Sequence, residues 1–153
     1  MGLEGGMFQI IKFRTMIPAA EKVSKSLPET PGDRRLTGCG RVLREYSLDE
    51  LPQLWLVLTG KMSLVGPRPI ELGKPALSRC SSWQKLRFLM RPGITGLAQV
   101  NGRDRLSWQE KFNLDAHYVE RWSLWLDAMI LLKTVYVVLA RQDAYFRNTN
   151  DTN

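Results

Sequence analysis

Residues 107–141 constrain the fold most. "SWQEKFNLDAHYVERW" opens with Ser107 and Glu110 at the spacing of a capping box, in which side chain and backbone satisfy each other at a helix start. "SLWLDAMILLKTVYVVLAR" follows as a strongly apolar helix interrupted by Asp127 and Lys133. The Trp and Leu stripes of these two helices are expected to lie in the core, with Asp115 and Asp127 as surface or paired charges. At the other end, "FQIIKFRTMI" (8–17) alternates loosely, carries β-branched and aromatic residues, and follows the glycine turn "GLEGG". It predicts a strand on which Lys12 and Arg14 share a face. The reading is α+β: a mainly helical single domain over residues 1–153 with a small N-terminal β-element.

The middle of the chain is more broken. Leu51, Leu54, Trp55 and Leu58 recur at helical spacing, and Gly60 is placed to end that helix. "SSWQKLRFLM" is expected to be helical, as is "PAAEKVSKSL" from Pro18, and a helix is expected near Arg41. "PETPGDRRLTGCG" reads as a loop, and the polar tail beyond about residue 142 is expected to fray.

Composition narrows the partners. The 153 residues carry a formal net charge of +7, and Arg outnumbers Lys. That balance favours anions, and a guanidinium fork suits phosphate oxygens. No nucleic-acid motif or basic stripe is present, which disfavours a nucleic-acid partner. Cys39 and Cys80 lack metal-site spacing and read as free thiols, and a single histidine, His117, excludes a multi-histidine metal site. No signal peptide and no run of about 18 apolar residues is visible, so no spanning helix is expected.

Three motifs carry candidate chemistry. In "YSLDELPQLW", Asp49 and Glu50 precede Pro52. Ser47 and Glu50 have capping-box spacing, but Pro52 fits a frame with Asp49 as the cap better, because its missing N–H then falls in the first turn. Either frame puts both acids at the positive end of a helix. Adjacent helical residues point apart, so the two acids read as having separate roles. "GPRP" holds Arg68 between two prolines, a stiff mount for a guanidinium. "RPGITGLAQVNGR" places Gly93, Gly96 and Gly102 between Arg91 and Arg103, a glycine-rich loop that can approach an anion.

Taken in order, "KFRTM", "SLDELPQLW", "MSLVGPRP", "RPGITGLAQVNGR" and the spaced Asp115, Tyr118, Trp122, Ser123 and Asp127 resemble the bacterial sugar transferases, the monotopic polyprenyl-phosphate phosphoglycosyl transferases. The resemblance implies transfer of a sugar 1-phosphate from a UDP-sugar to undecaprenyl phosphate. This would start a cell-surface glycan at the cytoplasmic face of the inner membrane, with this chain peripheral there. It implies Asp49 as nucleophile, a phosphosugar-enzyme intermediate, and Mg²⁺ held by Asp49 and Glu50, with Glu50 also a proton partner. Lys12, Arg14, Arg68, Arg91 and Arg103 are the candidate phosphate-binding cations. Family members carry a re-entrant hydrophobic helix and a basic segment before the "KFRTM" stretch, and this sequence opens in the turn that follows them. Leu56 and Lys61 stand where the family often has Asn and Asp, which would weaken metal binding. The alternative reading is a phosphate- and membrane-binding remnant without turnover.

Overall fold

A computed structural model describes residues 1–18, 20, 33–70 and 80–140. The expected helix from Pro18, most of the loop after it, and the polar tail lie outside these residues, apart from Pro18 and Ala20.

The architecture is mainly helical around one very small sheet. A helical turn, Leu3–Gly5, is followed by extended chain to Ile17. Helix α1 (Gly38–Glu45) starts where the Thr37 hydroxyl accepts the Gly40 N–H, three residues ahead of the expected start. A 3₁₀ turn (Leu48–Gln53) runs into the short α2 (Leu54–Leu58), and Gly60 follows at φ +74°. β1 (Ser63–Val65), a 3₁₀ helix (Gln84–Leu89), β2 (Gly93–Thr95) and α3 (Leu97–Val100) come next. The chain then makes a 3₁₀ turn (Arg103–Arg105) before α4 (Trp108–Glu120) and α5 (Leu124–Leu139). Both long helices begin as expected, α4 with the Ser107–Glu110 capping box and α5 with the Ser123 hydroxyl accepting from Leu126 N–H.

The mainly helical α+β class holds, but its β-element lies elsewhere. Residues 8–17 form no strand. Their only β pairing is one antiparallel bridge, Met16 to Leu36. The reason is the company this segment keeps. Phe13 N–H donates to the Asp49 carbonyl, and Thr37 N–H donates to the Thr15 carbonyl. Residues 15–17 thus have one short neighbour, residues 35–37, to which Ile17 N–H also donates at the Arg35 carbonyl, and the chain before them bonds the turn at Asp49 instead.

The sheet is β1 paired in parallel with β2, Ser63 opposite Gly93 and Val65 opposite Thr95. This corrects the reading of "RPGITGLAQVNGR" as a loop: it is a strand followed by a helical turn. Its glycines let two backbones touch. A Cβ on Gly93 would lie 2.1 Å from Gly66 N, and one on Gly96 would lie 2.2 Å from the Gly66 carbonyl oxygen.

The core gathers Val65, Val100, Tyr118 and Ile130. α5 is fixed to it by a narrow stripe: Asp127 accepts from the Tyr118 hydroxyl at 2.6 Å, Ile130 is buried, and Thr134 meets Thr95 at 2.7 Å. Leu126 packs beside this stripe, and much of the rest of α5 is open. Leu124, Trp125, Leu132 and Leu139 are each more than 70% exposed, so the expectation that its Trp and Leu stripe is core is wrong. Beside the acid pair, the expected apolar face of Leu51, Leu54, Trp55 and Leu58 is turned outward, and the buried residue is Leu56. Periodicity identified an apolar face without saying what it faces.

Gly93→Ala should therefore lower stability by roughly 3 kcal/mol, the upper range of overpacking, because the clash is with backbone that has no room to yield. Gly38→Ala, whose Cβ would meet nothing within 4 Å, should be neutral or slightly stabilising. Denaturant unfolding of the two variants checks the contrast.

Candidate active site

Three stretches of chain meet at Glu50. Lys12 comes from the extended N-terminal segment, Glu50 from the 3₁₀ turn, and Arg68 from the Pro-flanked loop after β1. Lys12 Nζ lies 2.7 Å and Arg68 Nη2 2.9 Å from the same oxygen, Glu50 Oε1. Glu50 is buried, while the two cations are each about 40% exposed and reachable from solvent. Burial alone would raise the Glu50 pKa, but Arg68 and Lys12 outweigh it and hold the carboxyl down to about 2.

Asp49, one residue earlier, has the opposite environment. It is half-buried, and desolvation with the neighbouring Glu50 charge pushes its pKa up. Lys12, Arg44 and Arg103 oppose that rise. The two acids are therefore distinct, as their adjacency suggested, but neither caps a helix. Ser47 sits at φ +53° without a side-chain cap bond, and Glu50 is committed to its cations. Both acids do lie in the first turn of a helical segment, but that turn is 3₁₀ rather than α, which keeps Pro52 from breaking an α-helical ladder.

The structure brings Lys12 and Arg68 onto Glu50. It brings Arg103 close by another route: φ is +49°, and its Nη1 donates to the Ser47 hydroxyl at 3.0 Å. Arg14 and Arg91 are exposed. Arg44, in the last turn of α1, is a residue that sequence reasoning missed. Its Nε donates to the Thr15 hydroxyl at 2.8 Å, and it lies within electrostatic reach of Asp49. A second omission is the buried pair of Arg87 and Asp115, whose Nη2 and Oδ2 lie 3.0 Å apart. Asp115 is a paired charge, one of the two settings expected for it, and nothing in the spacing of these residues joins the pair to the site.

Among the described residues no cluster of three or more acids, His or Cys could hold a metal alone. Mg²⁺ commonly takes one or two carboxylates with substrate phosphates and water. Adjacent Asp49 and Glu50, with Asp49 raised by burial and by its neighbour's charge, fit that mode. Leu56 is buried beneath the turn and Lys61 is exposed beyond Gly60.

The family described as bacterial sugar transferase matches residues 1–141. Among similar proteins, an uncharacterized sugar transferase EpsL of Bacillus subtilis is 46% identical, covering 92% of this chain and 67% of its own. A UDP-galactose-lipid carrier transferase of Erwinia amylovora is 40% identical over 95% of this chain and 33% of its own. A UDP-glucose:undecaprenyl-phosphate glucose-1-phosphate transferase of Xanthomonas campestris is 39% identical over 94% and 31%. The chain thus spans about two thirds of the first and about a third of the other two.

The depressed Glu50 has a stability consequence. The carboxylate contributes fully above about pH 4.5 and loses its contribution as pH falls through about 2. That shift is worth about 3 kcal/mol, reduced to about 1–2 by the part-exposed cations. Glu50→Gln should be less stable by that amount at pH 7, and the gap should close between pH 4.5 and 2, as read by denaturant unfolding across pH.

Proposed function

This chain belongs to the bacterial sugar transferase family, and on that premise we propose that it transfers a sugar 1-phosphate from a UDP-sugar to undecaprenyl phosphate, with Asp49 as nucleophile, to initiate a cell-surface glycan. The carrying observation is the division of labour between two neighbouring carboxylates. Glu50 is tied down by Lys12 and Arg68, while Asp49 is half-buried and raised by desolvation.

A carboxylate is a poor nucleophile toward an anionic diphosphate unless cations neutralise that charge. Lys12 and Arg68, ordered by Glu50 and partly exposed, are placed to re-pair with an incoming diphosphate, with Arg103, Arg14 and Arg91 as further phosphate contacts. An Asp49 carboxylate oxygen attacks the phosphorus that bears the sugar. The bond from that phosphorus to the bridging oxygen breaks, and UMP leaves with the electron pair. In the second half, an oxygen of the polyprenyl phosphate attacks the same phosphorus, and the bond to Asp49 breaks to restore the carboxylate. Asp49 and Glu50 are the residues that would hold Mg²⁺, which supplies charge neutralisation on the diphosphate when bound.

The acceptor is a lipid, and the acid pair adjoins an apolar surface formed by Leu51, Leu54, Trp55 and Leu58. With the open face of α5 and the net positive charge, this supports placement on the cytoplasmic membrane surface. No described helix is long and apolar enough to cross a membrane.

Without lipid acceptor, the first half-reaction should exchange labelled UMP into UDP-galactose or UDP-glucose. Asp49→Asn should abolish this exchange, a loss on the order of 10⁴-fold or more, without lowering the melting temperature, since it removes a charge that burial disfavours. Arg68→Lys should fail nearly as badly as Arg68→Ala, because an ammonium does not reproduce the planar fork. Retained exchange by Asp49→Asn sinks the reading.

Exposed Trp and Leu side chains gain about 1.5–3 kcal/mol each on full burial. Binding to anionic vesicles should therefore persist at about 0.5 M salt, where screening leaves only a few ångströms of electrostatic reach. Trp125→Asp with Leu132→Asp should abolish it. Binding that vanishes with salt in the unmodified chain would make the attachment electrostatic and contradict this reading.

A further inference from the structure

We propose that the buried Arg87–Asp115 pair is a positioning pair for Arg68, acting on the site through that residue's main chain; only its effect on turnover rests on the function proposed above. The pair joins the 3₁₀ helix Gln84–Leu89 to α4, and both side chains are almost fully buried, 3% and 2% exposed. Arg87 Nη2 also donates a short hydrogen bond to the Arg68 carbonyl oxygen. Arg68 is thus held at its carbonyl by Arg87, which Asp115 in turn holds through the ion pair. The Arg87 guanidinium lies over the Phe112 ring, 4.8 Å from its centroid, which fixes its plane.

The geometry makes this grip consequential. Arg68 stands between Pro67 and Pro69, so its backbone has little freedom to readjust. Where that peptide sits decides whether the guanidinium reaches Glu50, 2.9 Å away. The pair is also an expensive way to fill a core. Burial pushes Asp115 up to about 6 and lowers the Arg87 pKa, and Asp115 Oδ1 has no hydrogen-bond partner among the described residues. Replacing such a pair by apolar groups of similar volume often leaves stability unchanged or raises it. Two charges held here at that cost, one of them bonded to the backbone of a site arginine, serve placement rather than packing.

The test reads Arg68 directly. In ¹⁵N-labelled protein, its guanidinium signals are assigned by their loss in Arg68→Lys. Two variants are compared with the wild type, the pair swap Arg87→Met with Asp115→Leu and the isosteric Asp115→Asn, each checked for cooperative melting. In a folded variant, the Arg68 signals should lose their ordered shifts and collapse onto those of exposed arginines. Turnover should fall on the order of 100-fold, the cost of displacing a positioned group by about an ångström. The swap should add no further loss to Arg68→Ala. A folded variant whose Arg68 signals match the wild type overturns the proposal. So does loss of the folded state in both variants, which would make the pair structural. Displaced Arg68 signals with unchanged turnover would uphold the positioning and remove Arg68 from the proposed chemistry.

Discussion

The contact of Lys12 and Arg68 with one oxygen of Glu50 organises this molecule. It ties together an N-terminal segment, a 3₁₀ turn and a Pro-flanked loop, across 38 and 18 residues of chain. A buried carboxylate without partners would have to take up a proton. With two cations it stays charged, and it holds those cations at the edge of solvent, where an anionic substrate can meet them. Asp49 is placed beside this arrangement but outside it. Its charge is disfavoured by burial and by Glu50, so it gains most from the arrival of positive charge. One ion-pair triad thus gives the two neighbouring acids opposite environments.

The scaffold serves that placement. The two-stranded sheet is held at a distance only glycine permits, with Gly66, Gly93 and Gly96 in backbone contact. The loop bearing Arg68 leaves directly from β1, and Arg87, paired with Asp115, bonds its carbonyl. Arg68 is therefore fixed at its backbone by buried charges and at its side chain by the site itself. α5 adds a different kind of surface. One stripe, Asp127, Ile130 and Thr134, faces the core, and most of its apolar area is turned outward.

Much of this was legible in the residues. The capping box fixed the start of α4, Gly60 marked the end of α2, and the ordered motifs pointed to the family that residues 1–141 match. Lys12, Arg68 and the acid pair were singled out together, and they do converge. What was not legible depends on long-range contact. Residues 8–17 have strand composition, but a strand needs a partner along its length, and this segment has one only beside residues 15–17. Helical periodicity in α5 and after Asp49 gave apolar faces whose direction only the packing decides. The glycines of "RPGITGLAQVNGR" suit an anion cradle or a close backbone crossing equally well, and the structure uses them for the crossing. Arg44 and Arg87 carry no local signal at all, since their importance lies in what they reach across the fold.

The account turns on Asp49, not Glu50, being the residue that takes the phosphosugar. Intact-mass measurement of the protein incubated with a UDP-sugar, without lipid acceptor, reads this directly when followed by fragmentation of the labelled peptide. The account predicts a mass gain of one phosphosugar, located on Asp49 and discharged when undecaprenyl phosphate is added. A phosphosugar on Glu50, or lipid-linked product formed with Asp49 never modified, would contradict it.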